Sequence, residues 1–283
     1  MEIKISIALV TRNRPDQLRR CLKSVRAGQS YYHEIIVSDD SDDEDAAEKN
    51  QELCRLNNCH YFKGPRNGLY ANRNHVAQLC RGTHIRTMDD DHTFPDEHFK
   101  KCLAEVKETP DQILTIGEYF SFQKERGLPP PIPGQLHPRG FSVPPPNLGD
   151  YCGISCGGTI YPRKVIDSGI LNCDLYKFGK MYLEYGMRLR HLGYSIRPMF
   201  TTYLIHHHES SNQSRFHDFL IQEARVFAML SLSKFYRPTI LNRLLTSYEI
   251  LKSIVCRKID IHSIRRAYDN HRKFIRSEFE GSE

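Results

Sequence analysis

The chain has 283 residues, 39% hydrophobic and 26% charged, with a formal net charge of +6, enough for one large domain or two small ones with a buried core. No window approaches the roughly 18 to 20 apolar residues of a membrane-spanning helix. Nine scattered cysteines, odd in number, lack the close paired spacing of a zinc site and do not form a disulfide framework, so a reducing cytoplasm is the expected setting.

"MEIKISIALV" carries Glu2 and Lys4 and only a short apolar run, and reads as a first strand rather than a signal peptide. "KISIALVT" is a strand ending at Thr11. "RPDQLRRCLKSVRAG" follows as a helix, with Leu18, Cys21, Leu22 and Val25 at helical spacing and Gly28 as its stop. "EIIVSDD" is an apolar strand with carboxylates at its C-terminal end, "DAAEKNQELCRLNN" a helix and "CHYFKG" a short strand. "GLYANRNHVAQLCRG" is a helix closed by Gly82, and "THIRTMDDD" a strand that again ends in carboxylates. Continuously apolar strands alternating with helices predict an α/β fold with a mainly parallel sheet covered on both faces. Ligands of such sheets bind beyond the carboxyl ends of the strands. Thr11, Asp39 with Asp40, and Asp89 to Asp91 all fall at such ends. No G-x-G-x-x-G follows the first strand and no P-loop occurs, which weakens both of those nucleotide-binding readings.

Residues 127–150, "GLPPPIPGQLHPRGFSVPPPNLGD", are too rich in Pro and Gly for a helix or a central strand and read as a long loop, a lid or a boundary. "YCGISCGGTIYPRKVI" then reads as strand and helix, "KMYLEYGMRLRHLG" as a helix ended by Gly193, and "YSIRPMFTTYLIHHH" as extended, ending in His206, His207 and His208. From about Phe216 the pattern is helical, and Pro238 starts a new helix or breaks the old one. The expected organisation is a domain over 1–213, with a nucleotide-binding half over 1–100, the Pro-rich loop over 127–150 and an acceptor half over 151–213. A basic helical region over 214–283 follows. From Ser214 onward there are 13 Lys/Arg and 8 Asp/Glu, a net +5. This region reads as packed helices with a solvated basic face, as a peripheral contact with the inner face of an anionic membrane, or as a homodimer surface. Nucleic acid is not an expected partner, because no recognised module or aromatic platform is present.

Asp89 and Asp91 lie two apart at a strand end. Two oxygen ligands there suit Mn2+ or Mg2+, hard cations that also take phosphate oxygens, although three acids in a row also describe a solvated turn. Asp39 and Asp40 can accept hydrogen bonds from a base N–H or ribose hydroxyls. Arg73 and Asn74, early in a helix, would bring a cation to a diphosphate or a base, or lie on the surface. Of the three histidines at 206–208, one or two at most can serve a metal, since neighbours in a strand alternate faces. Glu184, four residues before Arg188, is either an i,i+4 salt bridge or a carboxylate base.

In order and spacing, "ALVTRNRPDQLRRCLKSV", "EIIVSDDSD", "GLYANRNHVAQLCRG" and "RTMDDDHTFPDEHF" resemble the GT-A glycosyltransferases of family 2, over about residues 3 to 99. The likeness is thinner from Gly157 to His208. It implies a GT-A, Rossmann-like mixed sheet with a helical C-terminal extension, and a UDP- or dTDP-sugar donor with a divalent metal. By that resemblance Thr11, Asp39 or Asp40, and Arg73 belong to the nucleotide site, Asp89 faces the ribose and Asp91 the metal; Arg12 and Asp90 are counted with the nucleotide site, Asp90 as a structural neighbour, and Asp89 and His206 as further metal ligands. It further implies an inverting single displacement in which a carboxylate base activates the hydroxyl of a glycan or lipid-linked acceptor, in the synthesis of cell-surface polysaccharide or glycolipid.

One departure stands out. Counting back from Gly193 and Arg188, the Glu-Asp pair that related enzymes carry on the base helix falls on Met181 and Tyr182, and only Glu184 is acidic. Glu184 is then the expected base, with Asp174 or an acid of the Pro-rich loop as substitutes. A non-catalytic nucleotide-sugar or glycan-binding relative is the alternative. A nucleotidyltransferase ranks third, because "TRNRPDQ" lacks the Gly-rich loop such a site would want.

Overall fold

A computed structural model of the chain describes residues 2–120, 123, 127–128, 130–207 and 219–280. His208, and Phe216 where the sequence places the start of the helical region, lie outside the described residues. An eight-stranded mixed sheet, ordered β3-β2-β1-β4-β9-β6-β10-β5, forms the centre. Its strands are β1 (Ile5–Thr11), β2 (Glu34–Asp39), β3 (His60–Lys63), β4 (His84–Asp89), β5 (His92–Thr93), β6 (Ile113–Phe120), β9 (Thr159–Pro162) and β10 (Ile196–His206). The first four pair in parallel, as do β6 and β10, while β9 runs antiparallel between β4 and β6. This is the mainly parallel α/β sheet that the sequence predicts.

Alternation along β1 sets the two layers. Ile7 and Leu9 pack on one face with Leu18, Leu22 and Val25 of α1 (Pro15–Arg26) and Leu53 of α2 (Glu44–Leu56). Ala8 and Val10 pack on the other with Val76 and Ala77 of α3 (Leu69–Leu79) and Ile166 of α5 (Arg163–Asp167). Helix α4 (His98–Glu108) covers β6 and β10 through Cys102 and Val106.

The chain runs from β1 outward through β2 and β3, then returns to β4 on the other side of β1. At that reversal the connections leave β1 and β4 in opposite directions and open a crevice beyond their carboxyl ends. Helix α3 stops at Leu79, before the Gly82 the sequence suggests, because Cys80 is already extended. The Pro-rich segment is not wholly loop: β7 (Gln135–Leu136) and β8 (Ser142–Val143) form a small antiparallel ribbon. Helix α6 (Met181–His191) joins this ribbon to the C-terminal helices α7 (Phe219–Leu230), α8 (Ile240–Val255) and α9 (Ile261–Ile275). These helices share a core with the rest of the chain: Phe227, Leu230, Ala267 and Phe274 pack with Tyr70, Cys173, Tyr176 and Met181. Among the described residues no helix is long and apolar enough to cross a membrane.

Candidate active site

A cleft of about 780 Å³ opens at the carboxyl ends of β1, β2, β4 and β10. Thr11, Arg12, Asn13, Arg14, Asp40, Asp42, Arg66, Asn72, Asp89, Asp91, Lys177 and His206 all contribute to its wall. The turn after β1 is built on Asn13, held at φ 53°, a left-handed conformation that Asn tolerates. Its Oδ1 accepts the backbone N–H groups of Asp42 and Asp43 at 3.1 and 3.2 Å, which ties the β1 and β2 loops into one rim.

The structure separates the two acids after β2. Asp39 turns inward and accepts from Ser41 N–H (2.8 Å), Asn50 Nδ2 (3.0 Å) and Tyr61 OH (3.1 Å), so its acceptor capacity is used in building the loop. Asp40 faces the cleft and takes one backbone N–H, from Arg66 at 2.8 Å. Burial pushes its carboxyl above the ordinary 3.8, against the Arg66 N–H and the nearby Arg12 charge.

The three acids after β4 also divide. Asp89 receives both Arg73 Nη2 bonds, at 2.7 and 2.8 Å, and lines the cleft. Asp90 is 0% exposed; it accepts from Thr11 Oγ1 at 2.7 Å and pairs with Arg14 Nη2 at 2.5 Å. Asp91 meets Arg14 Nη1 at 3.0 Å, His206 Nε2 at 3.5 Å and His92 Nε2 at 3.7 Å. Thus Arg73, expected to reach the nucleotide itself, is 4% exposed and lies behind Asp89, and Asp90 braces β4 against β1 instead of lining the cleft. Arg12 lines the cleft and pairs with Asp42 at 3.0 Å.

Four residues that the sequence reading passed over belong to this cluster. Arg14 neutralises Asp90 and Asp91. Glu118, near the tip of β6, accepts from Ser155 Oγ and lies 3.4 Å from His206 Nδ1. His92 packs edge-on against His206, 4.9 Å between centroids. Gly157 allows the closest approach: a Cβ there would lie 2.4 Å from His92 Cε1 and 2.9 Å from Asp89 Cγ. The signal for Glu118 was present in "ILTIGEYF", a β-branched and aromatic run with a carboxylate near its end.

Charge is concentrated at this point. Asp89, Asp90, Asp91 and Glu118 gather against Arg14 and Arg73, with Arg86 buried behind them near Glu118 and burial raising the Asp90 carboxyl. His206 adds a further positive charge: burial alone would lower its pKa, but hydrogen bonds and charge from Asp91 and Glu118 raise it to about 10. Glu118 is held down to about 2, its burial outweighed by His206, His92 and Ser155. Asp91 Oδ1 and both ring nitrogens of His92 are buried without hydrogen-bond partners. Ligand atoms of Asp91, His92 and His206 lie within 4.8 Å of one another. Orphaned atoms of Asp91 and His92, with the His206 ring beside them, make a donor set that fits a divalent cation, which would displace the His206 proton. The three histidines therefore do not act alike: His206 joins the cluster, while His207 Nε2 bonds Thr93 Oγ1 at 2.7 Å.

Glu184, the expected base, is not brought to the cleft. It is 0% exposed in α6, 3.3 Å from Arg188 Nε, and accepts from the Tyr236 hydroxyl. Arg188 in turn pairs with Glu278 at 2.6 Å. The correction has a simple cause: the face of α6 that carries Glu184 is covered by the C-terminal segment, which is 52 to 94 residues further along the chain.

Comparison with known proteins agrees with this geometry. The sequence profile of "Glycosyl transferase family 2" matches residues 6–168. Among curated proteins no sequence match reaches significance. Among solved structures, S. aureus TarS 1–349 in complex with UDP-GlcNAc is similar at 15% identity and a TM-score of 0.60, over 89% of this chain and 73% of that one. The longer TarS structure, also 15% identical, has a TM-score of 0.59, and the match covers 87% of this chain and 41% of that one. GalNAc-T7 with UDP, GalNAc and Mn2+ is similar at 15% identity and a TM-score of 0.64, over 98% of this chain and 56% of that one. These likenesses show a shared GT-A fold. With the profile covering more than half of its length, the chain belongs to glycosyl transferase family 2.

Proposed function

We propose that the chain transfers a sugar from a nucleoside-diphosphate sugar to an acceptor hydroxyl, with a divalent cation in the cleft. The observation that supports this most is the cleft at the β1/β4 reversal, with the Asp40 carboxylate at one end and the Asp91, His92 and His206 cluster at the other. Asp40 accepts from the nucleobase, and Asp89, fixed by Arg73, faces the ribose. Asp91, His206 and His92 would hold Mn2+ or Mg2+, which neutralises charge on the departing diphosphate. Glu118 orients the His206 ring through Nδ1, leaving Nε2 directed at Asp91. Arg12, Arg66 and Lys177 line the same cleft and add positive charge for phosphate oxygens.

An inverting displacement needs a carboxylate base. Of the acids the sequence offers, Glu184 is sealed in the core and Asp150 is paired with Arg190 and Arg237. Asp174 is exposed, three residues before Lys177 in the segment that also brings Phe178 to the cleft, and makes no ion pair among the described residues. We assign the base to Asp174. Hydrophobic Met181 and Tyr182 at the usual acidic positions favour one further reading, a donor-binding protein without transfer.

Calorimetry with UDP, dTDP and their sugars, with and without Mn2+, tests the donor site. Cation-dependent binding that Asp91→Asn abolishes is expected; absence of binding by every nucleotide overturns the reading. Donor consumption on adding an acceptor, lost in Asp174→Asn, separates the enzyme from the binding protein.

A further inference from the structure

Helix α8 is turned inside out. Its buried residues are Thr246, Glu249 and Ser253, the polar ones. Thr246 Oγ1 donates to Pro138 O at 2.9 Å, and Glu249 is gripped by Arg139 Nε (2.8 Å) and Arg225 Nη2 (2.6 Å). The outward face carries Ile240, Leu241, Leu244, Tyr248, Leu251 and Val255, between 56 and 79% exposed. At 100° per residue these six fall within roughly 100° of one another, a broad stripe. Ile261, at the start of α9, is 70% exposed as well. An ordinary surface helix shows the reverse polarity. The arrangement is not slack packing, since Glu249 is held by two arginines from separate segments and fixes which face points out.

The charge around the stripe selects its occupant. Arg243, Lys252, Arg257 and Lys258 are exposed and make no ion pair among the described residues. The one acid of α8, Glu249, is buried and already paired. A second copy docked through this face would set these cations against their own equivalents, and α8 offers them no exposed acid. A surface of anionic lipid supplies both the apolar depth and the opposite charge. We infer that α8 is a membrane-docking helix, lying in the interface of an anionic bilayer with Leu244, Tyr248 and Leu251 inserted and the four basic residues at the headgroups. This goes beyond the donor-site reading and does not depend on it.

The test is co-sedimentation of the full chain with vesicles of phosphatidylcholine alone or mixed with phosphatidylglycerol. Binding to the mixed vesicles, weakened by salt, is expected. Leu244→Glu with Leu251→Glu should reduce partitioning at least about tenfold, since each substitution removes an inserted apolar side chain. Arg243→Gln and Lys252→Gln should each weaken it about fivefold at low salt. Both positions are exposed, and an unchanged melting temperature and circular dichroism spectrum certify the variants as folded. Failure to bind mixed vesicles, or equal binding by the Leu244→Glu/Leu251→Glu variant, overturns the inference. So does a concentration-dependent dimer, seen by sedimentation velocity, that this variant dissociates while the parent ignores vesicles.

Discussion

Replacing Glu184 with Gln separates a structural carboxylate from a catalytic one. The substitution keeps the side-chain volume and an acceptor for Tyr236 but removes the charge facing Arg188. Breaking a buried ion pair by removing one partner costs about 3–5 kcal/mol. Glu278 still neutralises Arg188 at 2.6 Å, and its side chain is 32% exposed, so the lower end, about 3 kcal/mol, applies. For a chain of this size that is a fall in melting temperature of roughly 6–10 °C. The assays are thermal denaturation followed by circular dichroism, and sugar transfer measured well below both transitions. A kcat within about twofold of the parent is expected, since nothing in the cleft changes. A general base would contribute about 10²–10⁴-fold. A loss of that size with an unchanged transition would refute the structural assignment. An unchanged transition with unchanged kcat would refute the energetic one.

Gly157→Ala places a methyl group against His92 and Asp89; overpacking of about 1–3 kcal/mol is expected, with cation-dependent UDP binding lost before the fold, read by calorimetry beside a melting curve. Asp40 has its carboxyl raised above 3.8 by burial, so it takes up a proton at a higher pH than an exposed aspartate does. UDP affinity should therefore decline on acidification from that higher pH, and Asp40→Asn should flatten the decline; a parallel pH profile in the variant would exclude Asp40 from the site. His271, buried in α9 beside Phe227, is lowered from 6.5 to about 4, first by burial and then by Lys234. Between those values the unfolded chain binds the proton and the folded chain does not, so stability is lost as pH falls from 6.5 towards 4, by about 2–3 kcal/mol. Urea titrations of the parent and His271→Leu at pH 7 and pH 5 should show that slope in the parent and a shallower one in the variant.

Local sequence determined most of the elements, though not every end, since α3 stops at Leu79 and not at Gly82. Apolar runs at strand period and helical spacing placed β1 to β4 and α1 to α3, because each is a property of a few consecutive residues meeting one sheet face. The carboxylates at Asp40, Asp89 and Asp91 were legible for the same reason: they follow apolar strands directly, and strand ends in parallel sheets meet at one edge. Which neighbouring acid serves the cleft was not legible. Asp39 and Asp40 differ by one residue, and only the contacts of Asn50 and Tyr61 turn Asp39 away. The same holds for Glu118, which reaches His206 because β6 and β10 pair across more than 80 intervening residues. Glu184 and α8 make the point most plainly. The sequence left Glu184 open between a salt bridge with Arg188 and a catalytic base, and the C-terminal helices open between packing, a membrane contact and a dimer surface. Burial by Tyr236 and Glu278 decides the first, and the grip of Arg139 and Arg225 on Glu249 decides the second. Those partners lie 24 to 110 residues away, where periodicity carries no information and only the packing of the whole chain fixes which face meets water.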